Sequence, residues 1–346
     1  MINVYIVVQK GSLGTDYSSE VNEIASINPD KIVCLSMNEV DAQLIFRDFF
    51  DRIKPWLRAN NKIINLVVPH LDNVFIEDGL VRAERTVGYI LHQMLFYSSN
   101  PWPVDLIPTY NNPGLLYTCY NHKNNIARAR LVDQLVSKNL LNDGLVTYHY
   151  PESAEWEFHD GSKLMDESDF EFHNPSLPQY QPSSIPKNQC RGFFDIVPES
   201  RHEANEYFMT EKTLKSILML RPFITLSSTG YSVEYLEKYI GLELYDEMFD
   251  YTFDGCAALY DRVDGIINNV IHLKSIIPDH RTKHSMYKKL LPKLIRNRNR
   301  IIEIFFDKTK IVPDCLQILM SGTPYTLHGY IDHPVMFHMR NMEWMA

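Results

Sequence analysis

Residues 195–226 read DIVPESRHEANEYFMTEKTLKSILMLRPFITL. Their order indicates a strand that ends at Glu199, a polar loop, a helix over residues 210–219 and a second strand over residues 221–226. A strand followed by a helix and another strand is the repeating unit of parallel α/β folds. Because both strands are short and continuously apolar, the stretch predicts a parallel sheet that is covered on both faces.

The same alternation extends in both directions along the chain. Short apolar runs that end in polar loops predict further strands at residues 4–9, 31–36, 63–68, 115–120, 144–148 and 192–197. The spacing of apolar residues between the runs predicts helices around residues 44–53, 82–97, 125–138 and 232–240. The whole chain is therefore predicted to be α/β.

The length of 346 residues fits two domains of ordinary size. Residues 98–114 are punctuated by Pro, Asn and Gly, which favours a connection between domains there. We predict one α/β domain over residues 1–112 and a second over residues 113–310. A long loop or insertion is expected at residues 151–190, and a tail over residues 311–346 is expected to pack back on the first domain.

Composition excludes some classes of protein. Hydrophobic residues make up 45% and charged residues 22%, which is ordinary for a soluble protein. No apolar run reaches the roughly 18 residues that span a bilayer, so no membrane span is expected. The five cysteines are scattered without a CxxC, which favours a reducing cytoplasm. The net charge of −9 argues against a protein that binds nucleic acid over its whole surface.

Two segments carry features of a phosphate site. In residues 117–135, a strand and loop open a helix whose first turns contain Arg128 and Arg130. In the second segment, Thr210, Glu211 and Lys212 open the next helix. Helix N-termini and basic side chains both attract anions. The same residues are also typical of an ordinary capped and solvated helix start, so both interpretations stand at this point.

The order of these motifs resembles the donor-binding domain of α1,3-fucosyltransferase-type glycosyltransferases. In that family an Asn ends a strand and an Ala-Arg-x-Arg helix follows, which Asn121 and residues 127–130 match. Further on, residues 198–200, 207–212 and 221–224 resemble the family's Phe-Glu-Asn, Tyr-x-Thr-Glu-Lys and apolar strand, with Ser200 in place of the Asn. The overall pattern is also similar to that of predicted glycosyltransferases of large tailed phages.

The resemblance implies the GT-B architecture, which is two Rossmann-type domains with a cleft between them. Residues 1–112 would form the acceptor-side domain and residues 113–310 the nucleotide-sugar-binding domain. An Arg of the Ala-Arg-x-Arg helix and Lys212 would bind the donor diphosphate, Glu211 the ribose or base, and Glu199 would line the pocket near the sugar. The full set of implied donor-binding residues is Asn121, Arg128, Arg130, Glu199, Tyr207, Thr210, Glu211 and Lys212.

Some nucleotide-sugar transferases use a metal that a DxD motif holds, and the chain contains no DxD motif. We therefore expect no cofactor and no required metal, with side chains and helix N-termini supplying the positive charge. An inverting transfer also needs a general base for the acceptor hydroxyl. Glu84 and Asp72 are the first candidates, and Glu39 and His70 are the second, because all four lie near predicted strand ends or on the following helix. Each is also typical of a structural or solvated residue.

Two classes of acceptor are consistent with the sequence, a glycan such as lipopolysaccharide and DNA with hydroxymethylated bases. Residues 281–300 contain eight Lys or Arg and no Asp or Glu. Such a run could bind DNA through Lys288, Lys289, Arg296 and Arg298, or it could be a solvated helix face. A protein that binds a nucleotide or nucleic acid without catalysis is the remaining alternative.

Overall fold

The structure is a computed structural model that describes residues 1–8, 16–35, 42–68, 79–85, 114–121, 125–148, 191–202, 207–306, 314–317 and 323–329. It is a mixed α/β protein with two parallel, Rossmann-like sheets, which confirms the predicted class. The chain forms two compact units, one of Met1–Asn100 with Glu303–Ala346 and the other of Pro101–Ile302. The predicted loop at residues 151–190 lies outside the described residues.

The sheet of the first unit has five parallel strands in the order β4-β3-β2-β1-β9, numbered along the chain. They are β1 (Ile2–Val8), β2 (Lys31–Leu35), β3 (Ile64–Val68), β4 (Val81–Arg85) and β9 (Tyr325–Gly329). Helix α1 (Ser18–Ile27) follows β1, and helix α2 (Ala42–Asn60) follows β2. Residues 4–7 of β1 are all buried, which explains the apolar run without alternation.

The core of the first unit lies between this sheet and the two helices. Helix α2 presents one apolar face because its buried residues are spaced three or four apart; they are Phe46, Phe49, Phe50, Ile53 and Leu57. These side chains share a cluster with Tyr5, Ile32 and Ile64 of the strands. The aromatic face of α2 therefore fixes the helix on the sheet.

Strand β4 corrects the prediction of a helix over residues 82–97. Residues 82–85 pair in parallel with β3, with Ala83 opposite Leu66. Val81 is buried and Ala83 packs partly against the core, while Arg82 is exposed. This period of two is that of a strand, but the charged residues of VRAER hide it in the sequence. Residues 86–97 lie outside the described ranges.

The C-terminal segment adds β9 to the edge of the first sheet. Ile2 lies opposite Tyr325, and Ile6 lies opposite Gly329. At Gly329, φ is 116° and a Cβ atom would lie 2.2 Å from the carbonyl oxygen of Ile6. The strand therefore requires glycine where it ends.

The sheet of the second unit has four parallel strands in the order β6-β5-β7-β8. They are β5 (Leu115–Tyr120), β6 (Gly144–Thr147), β7 (Gly192–Pro198) and β8 (Phe223–Leu226), as the sequence predicts within a residue or two. From β5 the chain goes outward to β6 and then returns to the other side at β7. The β5–β7 pair is therefore the switch point of the sheet, where open α/β folds bind their ligands beyond the strands' carboxyl ends.

The helices of the second unit follow its strands. Helix α3 (Ile126–Ser137) links β5 to β6 through the 3-10 turn Leu141–Asp143, and α4 (Glu211–Leu218) links β7 to β8. After β8 come α5 (Tyr231–Ile240, with π-helical hydrogen bonding), the 3-10 turn Thr252–Gly255, α6 (Leu259–Ile276) and α7 (His280–Phe306). None of the helices that the structure describes is both long enough and apolar enough to cross a bilayer.

Candidate functional site

The carboxyl edge of the second sheet gathers most of the predicted donor residues. Asn121 directly follows β5, Arg128 lies in the first turn of α3, and Glu199 directly follows β7. Thr210 and Lys212 lie at the start of α4. Segments that are about 70 residues apart in sequence thus meet at the switch point.

Asn121 joins the ends of β5 and β6. Its side-chain amide donates a hydrogen bond to the carbonyl oxygen of Thr147 at 3.0 Å, and its backbone N–H donates to Thr147 Oγ1 at 2.9 Å. The residue is fully buried, and its side-chain oxygen has no hydrogen-bond partner in the described part of the chain. Asn121 therefore holds the ends of β5 and β6 together, and its side-chain oxygen remains a buried acceptor that a ligand could use.

Arg128 connects α3 to the end of β7. Its backbone N–H is capped by Asn125 Oδ1 at 2.9 Å, and its Nη2 donates to the carbonyl oxygen of Pro198 at 3.2 Å. The side chain is buried, although a guanidinium is usually at the surface. Its positive charge is therefore buried at the carboxyl edge of the sheet, next to Pro198, which precedes Glu199.

Glu199 organises the starts of two helices. Its carboxylate accepts hydrogen bonds from Thr210 N–H at 3.1 Å and Thr210 Oγ1 at 2.5 Å, from Thr213 Oγ1 at 2.5 Å and from the Tyr231 hydroxyl at 3.2 Å. Only 1% of the residue is exposed. Burial raises the pKa of Glu199, and the opposing effects of the Lys212 charge and of the hydrogen bonds do not fully offset it. The carboxylate thus ties the end of β7 to the first turns of α4 and α5.

Lys212 adds a second positive charge at this edge. Thr210 is the N-cap of α4, and its Oγ1 accepts from the Lys212 N–H at 3.3 Å. The Lys212 ammonium pairs with Glu211 at 3.1 Å, and both side chains are less than a fifth exposed. Burial acts to raise the pKa of Glu211, but the charges of Lys212 and Lys215 outweigh it, so the pKa lies below its ordinary value. Glu211 is therefore ionised and holds the ammonium in place.

Two of the predicted donor residues have aromatic partners instead. Tyr207 stacks on Tyr235 of α5, with ring centroids 5.5 Å apart and an interplanar angle of 15°. The Arg130 guanidinium lies over the ring of Tyr260 in α6, 4.0 Å from its centroid. Such stacking stabilises the contact between two elements, so Arg130 holds α3 against α6.

The basic run of α7 is only partly a free cationic face. Lys288 and Lys289 are exposed, whereas Arg298 is partly buried. Arg296 forms a two-pronged ion pair with Glu243, in which Nη2 lies 2.8 Å from Oε2, and this contact lowers the pKa of Glu243. Three further basic residues donate to backbone carbonyl oxygens of the same unit; they are Lys283, Lys293 and Arg300. About half of the run therefore anchors α7 to its own unit.

Glu84 does not lie on a helix, contrary to the position assumed for it. It belongs to β4, where its Oε2 accepts a hydrogen bond from the backbone N–H of Cys315 at 3.1 Å and its Oε1 lies 3.6 Å from Arg82 Nε. Its carboxylate thus caps the short helix Asp314–Gln317. The other general-base candidates lie outside the described residues; they are Asp72, Glu39 and His70.

Two buried charged residues at the same edge were missed by sequence reasoning. Asp254 accepts hydrogen bonds from the backbone N–H groups of Ser232 at 2.9 Å and Val233 at 3.0 Å, and so caps α5. Arg262 is buried near the start of α6. The sequence could have indicated its burial, because Arg262 lies four residues before Ile266 and therefore on the apolar, buried face of α6. For Asp254 the sequence holds no comparable signal.

Neither a metal site in the described part of the chain nor a match to a known family accompanies this geometry. Across the described ranges, no group of three or more His, Cys, Asp or Glu side chains is placed to hold a metal ion. No protein-family model matches the chain, and no curated protein is significantly similar to it. The candidate site therefore stands on its own chemistry. It combines the buried charges of Arg128, Arg262, Glu199 and Asp254 with the partly buried ammonium of Lys212 and the capped starts of α3, α4 and α5.

Proposed function

We propose that the second unit binds a nucleotide-activated sugar at the carboxyl edge of its sheet, and that the protein is a metal-independent, inverting glycosyltransferase of the GT-B type. The observation that carries the proposal is the meeting of Arg128, Glu199 and Lys212 at the switch point between β5 and β7. The resemblance to fucosyltransferase-type enzymes supports the same residues independently of their geometry.

The chemistry of the reaction explains why these charges matter. The acceptor hydroxyl oxygen attacks the anomeric carbon of the donor sugar and gives its proton to a general base, and the bond from that carbon to the diphosphate oxygen breaks. The electron pair of that bond stays on the diphosphate, whose negative charge increases in the transition state. Cations that are already in place stabilise this charge without reorganisation. Arg128 and Lys212 have this role in the proposal.

Glu199 has a positioning role in this proposal. Its carboxylate already accepts four hydrogen bonds, so it holds the first turns of α4 and α5 rather than presenting free oxygens to a ligand. This differs from the contact with the sugar that the resemblance implies. Glu211, ionised and partly buried at the same edge, is the better candidate to accept a hydrogen bond from the ribose hydroxyls.

For the acceptor, we propose DNA with hydroxymethylated bases first and a glycan second. The exposed Lys288 and Lys289 favour DNA, because phosphate contacts dominate the affinity of proteins for DNA. The ion pair of Arg296 with Glu243 reduces the cationic area of α7 that can contact phosphates.

The experiment for the proposal is a thermal-shift screen with nucleoside diphosphates and nucleotide sugars, followed by a donor-hydrolysis and transfer assay. A ligand that binds only the folded state raises the melting temperature, so one nucleotide should stand out. Release of sugar from that donor, or its transfer to hydroxymethylated DNA or glycan, identifies an enzyme. Binding without turnover identifies a nucleotide-binding protein, and no shift with any compound contradicts the proposal.

A further inference from the structure

Three loops at the carboxyl edge of the second sheet converge on one side chain, Arg262. The loop after β7 provides the carbonyl oxygen of His202, which accepts from Nη2 at 2.6 Å. The loop after β8 provides the carbonyl oxygen of Ser227, which accepts from Nε at 3.0 Å, and the hydroxyl of Thr229, which accepts from Nη1 at 3.1 Å. The guanidinium thus spans both loops.

The third loop leads into α6. Its carbonyl oxygens at Cys256 and Ala257 accept from Arg262 Nη1 at 2.7 Å and 2.8 Å. The Thr229 hydroxyl also donates to the Cys256 carbonyl oxygen at 3.2 Å, and the Ser227 hydroxyl donates to the Arg201 carbonyl oxygen at 3.0 Å. The loops are therefore joined to one another as well as to the guanidinium.

Only an arginine can make this junction. Its planar fork directs five N–H bonds in fixed directions, whereas a lysine ammonium is a compact charge with three donors. Arg262 is 2% exposed, and its acceptors in the described part of the chain are neutral oxygens. Burial lowers the pKa of Arg262, and the nearby Asp254 carboxylate partly offsets this effect. The side chain therefore places a positive charge beneath the loops without a directly bound carboxylate.

In parallel α/β folds, the loops that follow the strands at their carboxyl ends bind the ligand. We infer that Arg262 is a positioning residue for the diphosphate of the donor: it fixes residues 201–202 after β7 and the loop after β8 in the binding geometry and adds a buried positive charge behind them. The inference rests on the proposed function, because it concerns the same edge of the same sheet.

Arg221 provides a matched control in the same unit. It is also a buried arginine, and its Nε pairs with Asp195 at 2.9 Å while its Nη2 donates to the Gly192 carbonyl oxygen at 2.5 Å. Gly192 begins β7, so these contacts lie toward the amino end of the strand. Replacement of Arg221 should therefore cost stability without changing the loops of the site.

The test compares Arg262→Lys, Arg262→Met and Arg221→Lys by isothermal titration with the nucleoside diphosphate that the thermal-shift screen identifies. We expect the dissociation constant to rise at least tenfold in Arg262→Met and by a smaller factor in Arg262→Lys, which keeps the charge. Arg221→Lys should change it less than twofold. In hydrogen exchange, the amides of Gly230 and Cys256 should be less protected in Arg262→Lys and unchanged in Arg221→Lys.

Thr229→Val provides a second test if Arg262→Met does not fold, because it leaves the arginine and removes only the hydroxyl that accepts from Arg262 and donates to the Cys256 carbonyl oxygen. We expect a rise in the dissociation constant of about two- to fivefold, because the loop after β8 loses these hydrogen bonds but keeps the one from Arg262 to Ser227. Unchanged affinity in the folded Arg262 and Thr229 variants overturns the inference while Lys212→Ala still weakens binding. If the wild-type protein binds no nucleoside diphosphate, the proposed function fails, and the inference fails with it.

Discussion

Arg128 Nη2 donates a hydrogen bond to the carbonyl oxygen of Pro198, 70 residues further along the chain, at 3.2 Å. This contact joins the first turn of α3 to the end of β7 across the switch point of the sheet. Pro198 is the last residue of β7, and it lies opposite Leu226 in the ladder with β8. The two motifs that carry the resemblance are therefore linked directly.

Replacement of Arg128 should destabilise the fold more than replacement of Arg130. Arg128→Met leaves the buried Pro198 carbonyl oxygen without its charged donor, which costs about 1–3 kcal/mol. Arg130→Met removes a stacking contact with Tyr260, which is about half exposed, and costs roughly 0.5–1 kcal/mol. Urea unfolding of the two variants measures the difference, and an equal loss at both positions would contradict the structural role of Arg128.

The buried carboxylate of Glu199 should give the protein a stability that falls as pH rises. Its pKa in the folded state lies above the ordinary value, so between the two values the folded protein holds a proton that the unfolded chain has lost. The free energy of unfolding contributed by this group therefore decreases as pH rises through that interval. Glu199→Gln cannot titrate. The free energy of unfolding of the variant should therefore rise relative to that of the wild type as pH rises through the same interval.

Glu243 provides the control of opposite sign. The hydrogen bond from Arg296 lowers its pKa, so its contribution to stability is present above the ordinary value and is lost as pH falls through the folded-state value. The free energy of unfolding of Glu243→Gln should therefore fall relative to that of the wild type as pH rises from the folded-state pKa of Glu243 to its ordinary value. Unfolding curves across the acidic range test both signs, and parallel pH profiles for wild type and Glu199→Gln would exclude a raised pKa.

Loss of the cap on α5 should be visible in stability alone. Asp254→Ala leaves the N–H groups of Ser232 and Val233 without their acceptor and should cost about 1–2 kcal/mol, as is typical for a lost N-cap. Asp264 is an exposed aspartate on α6, and Asp264→Ala should change the free energy of unfolding by less than about 0.5 kcal/mol. Denaturant unfolding distinguishes the two; similar values would mean that Asp254 does not cap α5.

The role of α7 in binding DNA depends on its two exposed lysines. Lys288→Glu with Lys289→Glu should weaken binding to duplex DNA and reduce the slope of log affinity against log salt by about two, which is one phosphate contact per lysine. The reversal Arg296→Glu is a poorer test, because it places two carboxylates together at Glu243 and changes stability as well. Fluorescence anisotropy at several salt concentrations measures the slope, and an unchanged slope would remove the support for DNA as acceptor.

The strands of the second unit and its helices α3, α4 and α5 could be predicted from the sequence, because each strand is a short apolar run between polar loops and each of these helices follows such a run. Strand β4 could not, because Arg82 and Glu84 alternate with the short apolar residues Val81 and Ala83, and only the pairing with β3 shows that the segment is a strand. A local pattern shows only the periodicity within one segment. Whether a charged segment such as β4 forms a strand depends on the strand beside it.

The candidate site shows the same limit. Sequence motifs indicated Arg128, Glu199 and Lys212, but their spacing could not show that Arg128 reaches Pro198 or that Glu199 is saturated by four donors. Arg262 contacts loops that are up to 60 residues away in sequence. Contacts of this kind arise from tertiary packing and leave almost no trace in one sequence.

The most direct test of the donor site is calorimetric titration of the preferred nucleoside diphosphate into wild type, Lys212→Ala and Lys274→Ala. Lys274 also pairs with a carboxylate of the same unit, Asp143 at 2.7 Å, but Asp143 precedes β6, away from the carboxyl edge. We predict that Lys212→Ala, while still folded, binds at least tenfold more weakly and that Lys274→Ala binds like the wild type. Equal affinity in all three proteins would contradict the assignment of the diphosphate to the carboxyl edge of the second sheet.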